Sequence, residues 1–410
     1  MNLFQIIFNK IPRKIAQETG SQSGMGALFG RSSSGKQVNE QTAMQAATVY
    51  ACVKILAETI ASLPLHTYRR TAGGKEKAYD HYLYELLHSQ PNSEISAFTF
   101  FEAMMAQILI WGNAYAFVVR DANGKVLELW PLRPEKMQVG RLEGGDLFYS
   151  YDTKDGTQSF RRDEVLHVPG LAFDGVTGQS PISYAKNAIG MSLAAEEYGS
   201  TFFANGANPG GVLEHPGVVK DPKRLRESWE SVYRGSSNAH KIAVLEEGMK
   251  FSPIAIPPEQ AQFLETRKFQ TNEICRIFRV PPHMVGDLER ATFSNIEYQS
   301  IEFVVHTIRP WLVRWEQAMK NQLLLPDEKK EYFIRFNVDG LLRGDFKTRQ
   351  EGYSIGIQNG FLSPNDVREL EDLNLIPDEL GGNRHMINGS MIDLKDVGKW
   401  ADKYSTQKKQ

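Results

Sequence analysis

Hydrophobic residues recur every three or four positions over residues 294–324, and this pattern predicts a long amphipathic helix. Ser294 and Glu297 have the spacing of a capping box, in which two side chains satisfy backbone amides at a helix start. Pro310 lies mid-way and cannot donate to the carbonyl of His306, so we expect a kink there. The apolar stripe consists of Ile296, Phe303, Val304, Ile308, Trp311, Leu312, Trp315, Met319 and Leu323.

A second helical pattern, over residues 256–281, precedes the long helix. Pro281 and Pro282 remove two amide donors and push Val280 out of helical geometry, so we expect a loop over residues 282–293. The charges along the exposed face of this helix alternate in sign, which fits a solvated face and an intersubunit face equally well. These charged residues are Glu265, Arg267, Lys268, Glu273 and Arg276. A long bent helix entered through a tight loop indicates a mechanical element rather than a catalytic one.

Period-two patterns between helical stretches predict an α+β unit with a largely antiparallel sheet over residues 41–175. We expect its helices at residues 42–62 and 98–111. The strands are expected at residues 63–70, 114–120, 126–132, 147–151 and 165–168. Ser180 and Pro181 then supply the cap and first residue of a helix over residues 181–206.

The rest of the chain predicts smaller units. Residues 207–255 read as strand, helix and two strands, with Asp221 capping the helix. Residues 325–344 contain a strand, at 332–336, that could return to the first sheet. Residues 343–357 are predicted to be helical, with a stop at Asn359 and Gly360, and a short last helix starts at Ser363. Both ends, residues 1–40 and 381–410, are rich in small or polar residues, so we expect flexible segments.

One stretch has the spacing of a phosphate-binding loop, from Gly30 to Gly35 and Lys36. Gln37 stands where such a loop needs Ser or Thr to hold magnesium, and no β-branched strand precedes the motif. We therefore interpret the segment as a linker.

Charge and composition exclude several classes of protein. The formal net charge is −2, whereas a protein that grips nucleic acid tightly as a monomer has a basic excess. Cys52 and Cys275 have no neighbour at metal-ligand spacing, and we interpret them as buried structural thiols of a reducing compartment. Four histidines share no ligand spacing either: His66, His81, His88 and His167. No apolar run reaches the length of a membrane span, so we expect a soluble, intracellular protein without metal or cofactor.

Several separated blocks resemble, in the right order, the portal proteins of tailed bacteriophages, the head–tail connector rings. The blocks are LPLHTYRR, GNAYAFVVRD, HVPGLAFDGVTGQSPI, FFANGANPGGVL, FLETRKFQTNEICRIFRVPPHMVG, FRVPPHMVGDLERATFSNIEY with TIRPWLVRWEQ, and NGFLSPNDVRELEDLN. The resemblance spans roughly residues 42–375, and the ordered series is more specific than any one block.

The resemblance implies an α+β portal fold, with an antiparallel-sheet wing, two stem helices, a small α/β clip, a long kinked helix and a helical crown. The implied division is as follows: flexible arm 1–40, wing 41–180, stem helix 181–206, clip 207–255, stem helix 256–281, tunnel loop 282–293, kinked helix 294–324, strand returning to the wing 325–344, crown 345–380, and loose tail 381–410.

The resemblance also implies function and partners. Members form homo-oligomeric rings, usually of twelve, at one capsid vertex of the virion, after assembly in the host cytoplasm. The terminase drives double-stranded DNA through the ring during packaging, and the DNA is ejected the same way. Head–tail adaptor, major capsid and scaffold proteins are further implied partners, and no enzymatic activity or membrane contact is implied.

The implied sites are the tunnel loop, as a constriction of the DNA channel, and the clip, where terminase and adaptor dock. The loop residues are Val285, Gly286, Asp287, Leu288, Glu289, Arg290, Ala291, Thr292 and Phe293. The clip residues are Arg224, Arg226, Trp229 and Arg234. Our hypothesis is that Leu288 or Val285 lines the narrowest point and that Pro310 lets the loop move.

Alternatives remain for the role of Arg290 and for the function of the whole protein. Arg290 fits an intrasubunit salt bridge as well as a DNA contact. The alternatives to a portal are a capsid or adaptor protein that threads no DNA and a nucleotide-dependent enzyme that uses Lys36. No metalloprotease, serine-hydrolase or paired-carboxylate motif supports an enzyme.

Overall fold

A computed structural model describes residues 31–204, 211–219, 221–233, 245, 248–253, 260–288, 299–338, 341, 346–371 and 373–386. The chain divides into two compact units, Met1–Val338 and Asp339–Gln410. The α-helices are α1 (Glu40–Ala43), α2 (Ala47–Ala61), α3 (Tyr82–His88), α4 (Ala97–Trp111), α5 (Pro181–Tyr184), α6 (Lys186–Ala204), α7 (Pro222–Tyr233), α8 (Gln260–Phe278), α9 (Arg309–Gln322), α10 (Glu328–Glu331), α11 (Phe346–Gln358) and α12 (Pro364–Leu370). The strands are β1 (Leu65–Thr71), β2 (Gly74–Lys77), β3 (Asn113–Arg120), β4 (Val126–Leu132), β5 (Met137–Arg141), β6 (Leu147–Thr153), β7 (Gly156–Arg161), β8 (Val165–Pro169), β9 (Gly211–Glu214), β10 (Lys250–Pro253) and β11 (Tyr332–Phe336).

All strand pairs in the described part of the chain are antiparallel, which confirms the predicted α+β class. The sheet orders are β11–β1–β2, β4–β3–β8, β5–β6–β7 and β10–β9. The strand at 332–336 does return to the first sheet, with Phe333 opposite Tyr68 in β1. Residues far apart in sequence therefore complete one sheet.

Strands β3 to β8 form two packed sheets, which we call the two-sheet core. Residues Asn113 to Val119 of β3 are all buried, because one face of the strand meets the second sheet and the other meets α4. The side chains shared between the sheets are Tyr115, Phe117, Val119, Trp130, Leu132, Met137, Tyr149, Phe160 and Val165. Burial of this aromatic-rich set is the main stabilising contribution here.

Helix α4 stops at Gly112, as its sequence predicts. Gly112 adopts the left-handed conformation (φ 83°), which glycine reaches without steric cost. A Cβ at this position would lie 2.4 Å from the carbonyl carbon of Gln179. Glycine is thus required twice, by the backbone angle and by the close approach of the segment before α5.

The long helical pattern is continuous with the core of the first unit. Its stripe is buried at Phe303, Val304, Ile308, Leu312, Trp315, Met319 and Leu323, and Trp311 is half-buried. Trp315 packs edge-on against Phe101 of α4, with ring centroids 5.4 Å apart. The Gln322 side chain accepts from the His167 amide at 2.8 Å and donates to the His167 carbonyl at 3.2 Å. Ile296, Ser294 and Glu297 lie outside the described residues.

The patterns left five described elements unpredicted: α3, β2, β5, β7 and α10. Strands β2 and β7 are exposed and polar for most of their length, so they carry no alternating apolar signal. Helix α3 has His81 at its N-cap, where its ring nitrogen accepts from the Leu83 amide at 3.2 Å. Histidine is not among the usual capping residues.

Residues 31–40 differ from the predicted flexible arm. They form a tight turn, with Arg31 bridged to Gln37, that packs on α6. Ser32 is buried, and its Oγ donates to the Lys36 carbonyl at 2.9 Å. The backbone approaches closely because position 190 is a glycine, whose missing Cβ leaves room for Ser32. Residues 1–30 lie outside the described residues.

The second unit is organised around Asn365, which is buried at the start of α12. Its side chain donates to the Ile376 carbonyl at 2.9 Å and accepts from the Ile376 amide at 2.7 Å. The side-chain amide of Asn365 also donates to Asn383 Oδ1 at 2.8 Å. Residues 381–386 are therefore attached to this unit, contrary to the predicted loose tail, and residues 387–410 lie outside the described part.

Candidate functional site

Helix α8 ends in a Schellman motif whose left-handed residue is Arg279 (φ 56°) rather than glycine. The Val280 amide donates to the Cys275 carbonyl at 3.0 Å, and the Arg279 amide donates to the Arg276 carbonyl at 3.3 Å. Val280 and Cys275 are both buried, which supplies the hydrophobic contact typical of this motif. The turn redirects the chain before it reaches the two prolines.

The π-helical segment Phe303–Ile308 holds this turn from the other side. Thr307 donates its hydroxyl to the Arg279 carbonyl at 2.7 Å. The hydroxyl thus binds the left-handed residue itself, and a strained backbone conformation persists only where its surroundings impose it. We call residues 274–288 together with 299–308 the loop junction.

The first part of the predicted tunnel loop is a single short turn. Residues Pro282–Val285 are 3-10 helical, and the Asp287 amide donates back to the Pro282 carbonyl at 3.1 Å. His283 Nδ1 lies 2.7 Å from Gln299 Oε1, so the outgoing and returning chains are joined at the base of the loop.

The described part of the predicted loop presents little charge. Val285 and Asp287 are half-buried, Gly286 is exposed with φ 94°, and 62% of Leu288 is exposed. Asp287 is the only Asp, Glu, Lys or Arg between Pro281 and Leu288. The other five loop residues, Glu289, Arg290, Ala291, Thr292 and Phe293, lie outside the described residues.

The helix irregularity expected at Pro310 is the π-helical segment just before it. The Arg309 amide donates to the Val304 carbonyl, five residues back, instead of the usual four. Pro310 then lies in the first turn of α9, where a missing amide donor costs least. The bond that proline cannot make is accommodated by a shift of hydrogen-bond register.

Helices α6 and α8 pack against each other and leave apolar side chains uncovered. Phe263 packs over Gly199, where a Cβ would lie 2.8 Å from its ring. Arg267 reaches Glu196 at 3.8 Å, so part of the alternating charge on α8 serves this contact. Among the side chains of these two helices that the structure describes, the exposed large apolar ones are Met191, Tyr198, Leu264, Phe269 and Ile277.

The helix of the predicted clip, α7, is capped by Asp221, which accepts from the Arg224 amide at 3.1 Å. Arg224 and Arg226 are exposed. Trp229 is half-buried and stacks on Phe251 of β10, with centroids 5.6 Å apart, so it also packs within its own module. Arg234 lies outside the described residues.

The phosphate-loop spacing does not build a phosphate site. The Lys36 ammonium pairs with the Glu197 carboxylate, and the Ser33 amide donates to Asn187 Oδ1 at 3.1 Å. Both donors are thus directed to α6 rather than to an open cradle of the kind that binds phosphate.

The four histidines do not form one site: His66 and His88 contact each other, and His81 and His167 lie in other contacts. Asn113 donates to the Gly178 carbonyl at 2.7 Å, so its Oδ1 accepts both the Gly178 amide, at 2.7 Å, and His167 Nε2, at 3.0 Å. His167 is therefore neutral with its proton on Nε2, and burial lowers its pKa to about 3. His66 stacks on His88, with centroids 4.9 Å apart, and burial lowers the pKa of His81. Within the described ranges no three His, Cys, Asp or Glu residues are grouped as metal ligands.

A family model described as phage portal protein matches residues 47–372 of the chain. The chain belongs to the phage portal protein family. It is a portal protein of the head–tail connector type, and this family is a structural one. Among the described residues, no helix has the length and apolar character that crossing a membrane requires.

Two curated relatives and one solved structure illustrate the match. A probable portal protein of Streptomyces phage phiC31 is 39% identical over 362 residues, which is 85% of this chain and 79% of the relative. The portal protein of Enterobacteria phage HK97 is 31% identical over 393 residues, covering 94% and 91% of the two chains. A chain from the neck of a native gene transfer agent particle, computed with C12 symmetry, has a TM-score of 0.56 at 26% identity and covers 82% of this chain and 92% of its own.

The sequence carries no signal for the contacts that hold the described part of the predicted loop. A left-handed residue at a helix end is signalled by glycine or asparagine, and Arg279 gives no such signal. The bonds of Thr307 to Arg279 and of Gln299 to His283 join residues 28 and 16 positions apart, beyond the reach of local patterns.

Proposed function

We propose that this portal protein forms a closed ring, of twelve subunits in the particle, at one capsid vertex, and that DNA is packaged and ejected through the ring. The observation that carries the proposal is the family match over residues 47–372, together with the likeness to a particle neck of C12 symmetry. In a closed ring one loop per subunit becomes a circular constriction.

Apolar exposure on both packed helices supports the ring. Met191 and Tyr198 of α6 and Leu264, Phe269 and Ile277 of α8 are exposed in the single subunit. Monomeric proteins seldom leave many large apolar side chains uncovered on one pair of helices. In our proposal neighbouring subunits cover them, so these two helices are the stem, at residues 181–206 and 256–281.

The remaining segments follow the order of the chain. We assign the wing to residues 41–180, the clip to 207–255, the tunnel loop to 282–293 and the kinked helix to 294–324. Residues 325–344 return to the wing, residues 345–380 form the crown, and the arm at 1–40 and tail at 381–410 complete the chain.

The low charge of the loop suits a conduit. Each phosphate that a protein neutralises adds affinity and releases counterions, so a basic loop would hold DNA rather than let it pass. Asp287, Glu289 and Arg290 nearly cancel in charge, and Leu288 offers an apolar contact that is indifferent to base sequence. We place Leu288 or Val285 at the narrowest point.

We assign terminase and adaptor docking to the clip, through Arg224, Arg226, Trp229 and Arg234. The exposed guanidinium groups of α7 suit acidic partner surfaces, and arginine contributes strongly at interfaces. The major capsid and scaffold proteins would meet the ring elsewhere, and assembly would precede incorporation into the virion.

Electron microscopy of the purified chain tests the ring directly. We expect stalked annular particles with an axial hole and countable rotational symmetry. Monomers or dimers at every concentration, also inside particles, would refute the proposal, and shells or sheets would favour a capsid or adaptor protein that threads no DNA.

A loop deletion tests the channel. Removal of residues 286–290 should leave rings intact but reduce the DNA retained in particles, and a Gly/Ser replacement of equal length separates loop length from side chains. Unchanged DNA yield in both variants would rule out a role for the loop.

A charge substitution tests the position of Leu288. Leu288→Arg should increase DNA retention by the ring and slow ejection, because a ring of guanidinium groups binds phosphates. Leu127→Arg, at an exposed position of β4, is the matched control and should change neither.

A further inference from the structure

Two cysteines that are 223 positions apart in the sequence meet inside the first unit. Cys52 lies in α2 and Cys275 in α8, and both are buried and free. The two thiols lie close enough for each to shift the pKa of the other. The structure therefore turns two unrelated thiols of the sequence into a pair.

A second contact fixes the register of the two helices. The hydroxyl oxygens of Thr48 and Thr271 lie 3.5 Å apart, one helical turn before Cys52 and Cys275 respectively. From the threonine pair to the cysteine pair, both helices move forward by four residues, which is about one turn. The helices α2 and α8 therefore run parallel where they contact each other. Small side chains at both levels allow the close backbone approach that a disulfide needs.

We propose that Cys52 and Cys275 form a reversible disulfide, which covalently joins α2 to the last turn of α8 when the protein meets a low-molecular-weight disulfide oxidant. One thiolate attacks the oxidant, and one molecule of reduced oxidant thiol leaves. The second thiolate attacks the resulting mixed disulfide and releases a second reduced thiol. Two protein thiols and one small disulfide thus give one protein disulfide and two small thiols.

The two thiols influence each other's ionisation. The interaction with Cys275, followed by burial, raises the pKa of the Cys52 thiol, and the interaction with Cys52 lowers the pKa of Cys275. The sulfur that ionises first attacks the oxidant, and the other sulfur resolves the mixed disulfide. Because both are buried, exchange requires the α2–α8 contact to open, and oxidation is slow in the folded protein.

The cross-link would act on the start of the loop junction. The carbonyl of Cys275 accepts the Val280 amide in the turn that ends α8. A bond from Cys275 to α2 therefore restrains the helix end on which the left-handed turn is built. The proposed disulfide depends only on contacts between α2 and α8. It can therefore be refuted while the ring is confirmed, and the ring can be refuted while the disulfide is confirmed.

The test exposes the full chain to glutathione disulfide, with and without urea below the unfolding transition. We expect the intact mass to fall by two hydrogens, a peptide linking Cys52 to Cys275 in non-reducing digests, and a higher Tm that dithiothreitol reverses. The Val280 amide should exchange more slowly in the oxidised chain. Cys52→Ser and Cys275→Ser should each show no cross-link and no reversible rise in Tm.

An engineered pair provides the positive control. Thr48→Cys with Thr271→Cys, in a chain that also carries Cys52→Ser and Cys275→Ser, places two thiols one turn away on the same helices. If this pair cross-links while the native pair gives only glutathione adducts or unreacted thiols, the proposal is wrong. Failure of both pairs in urea would also overturn it, because it would contradict the parallel register.

Discussion

The two-sheet core and the loop junction are stabilised in different ways. In the core, β3 is buried along nearly its whole length and aromatic side chains fill the space between two sheets. In the junction, a left-handed arginine, a π-helical segment and single side-chain bonds determine the path of the chain. The core derives stability almost entirely from area removed from water, whereas in the junction a few directional contacts act in addition to buried apolar side chains.

Within the first unit, the two-sheet core is thus the rigid region and the loop junction is the region that can change conformation. A close-packed core resists any change of volume, so it can position other elements. A segment held by single hydrogen bonds can exchange conformations at a cost of about 1 kcal/mol per bond. The predictions below test whether the two regions respond to substitution as this contrast requires.

The largest effect is expected in the core, from Phe117→Ala. Phe117 is buried and its ring centroid lies 5.1 Å from that of Phe160. Loss of the ring should lower the free energy of unfolding in urea by about 3–5 kcal/mol. Phe173→Ala, at a side chain that is 71% exposed, is the control and should change it by less than about 0.5 kcal/mol. If both variants lost only a little unfolding free energy, the two-sheet core would not be the main source of stability.

Gly112→Ala should cost roughly 2–5 kcal/mol, from about 1–2 kcal/mol of left-handed strain and about 1–3 kcal/mol of overpacking. The added Cβ would meet the backbone of Gln179 at 2.4 Å. Gly145→Ala has the same sign of φ, at 86°, but nothing within 4 Å, so it isolates the strain. Equal thermal shifts for the two variants would show that the close approach does not matter.

Stability should fall as pH falls from about 6.5 toward 3, because burial holds the pKa of His167 at about 3 in the folded protein. In that range the unfolded chain binds a proton that the folded chain does not, so folding loses up to about 1.4 kcal/mol per pH unit. His167→Gln should flatten the slope between pH 5 and 6.5. The exposed His385→Gln should not, and a parallel profile for both variants would exclude His167 as the cause.

In the junction, Thr307→Val should cost only about 1 kcal/mol, since it removes one hydroxyl bond to the Arg279 carbonyl. Hydrogen exchange of amides at 279–288 should accelerate while those of β3 do not change. Thr307→Ser keeps the hydroxyl and should behave as the native chain. A global loss of several kcal/mol would show that the junction is as cooperative as the core.

The smallest effect is expected from Arg279→Gly, which places glycine in the left-handed conformation that already exists (φ 56°). Relief of strain and the greater freedom of the unfolded chain should nearly cancel, so that the net change in unfolding free energy stays within about 1 kcal/mol. Arg279→Val, with a β-branched side chain at positive φ, should instead destabilise the protein measurably by thermal unfolding. A large loss for the glycine variant would assign Arg279 an essential side-chain contact.

The same contrast explains how much the sequence could predict. The start and end of local elements were accessible, because Gly112 ends α4, Ser180 caps α5 and Ser363 caps α12 through residues whose chemistry is local. Strand β11 was accessible from its run of strand-favouring residues, and its return to the first sheet was expected, although its partner β1 was not identified. Much of the candidate site was not, since an arginine in a glycine conformation and bonds such as Thr307 to Arg279 depend on the assembled structure. The prediction of a flexible arm was wrong for residues 31–38 for the same reason. Their composition is typical of a linker, but tertiary contacts with α6 hold them in place.

The pairing of β1 with β11 has a consequence for synthesis. Residues 65–71 leave the ribosome long before residues 332–336, and at roughly 5–20 residues per second the delay is on the order of tens of seconds. During that time β1 can pair with β2 on one side only, and its other edge presents backbone groups that any extended chain could bind. The first strand to be made is thus among the last to be enclosed, and the nascent protein is most exposed to mispairing with its own siblings when many copies are translated together.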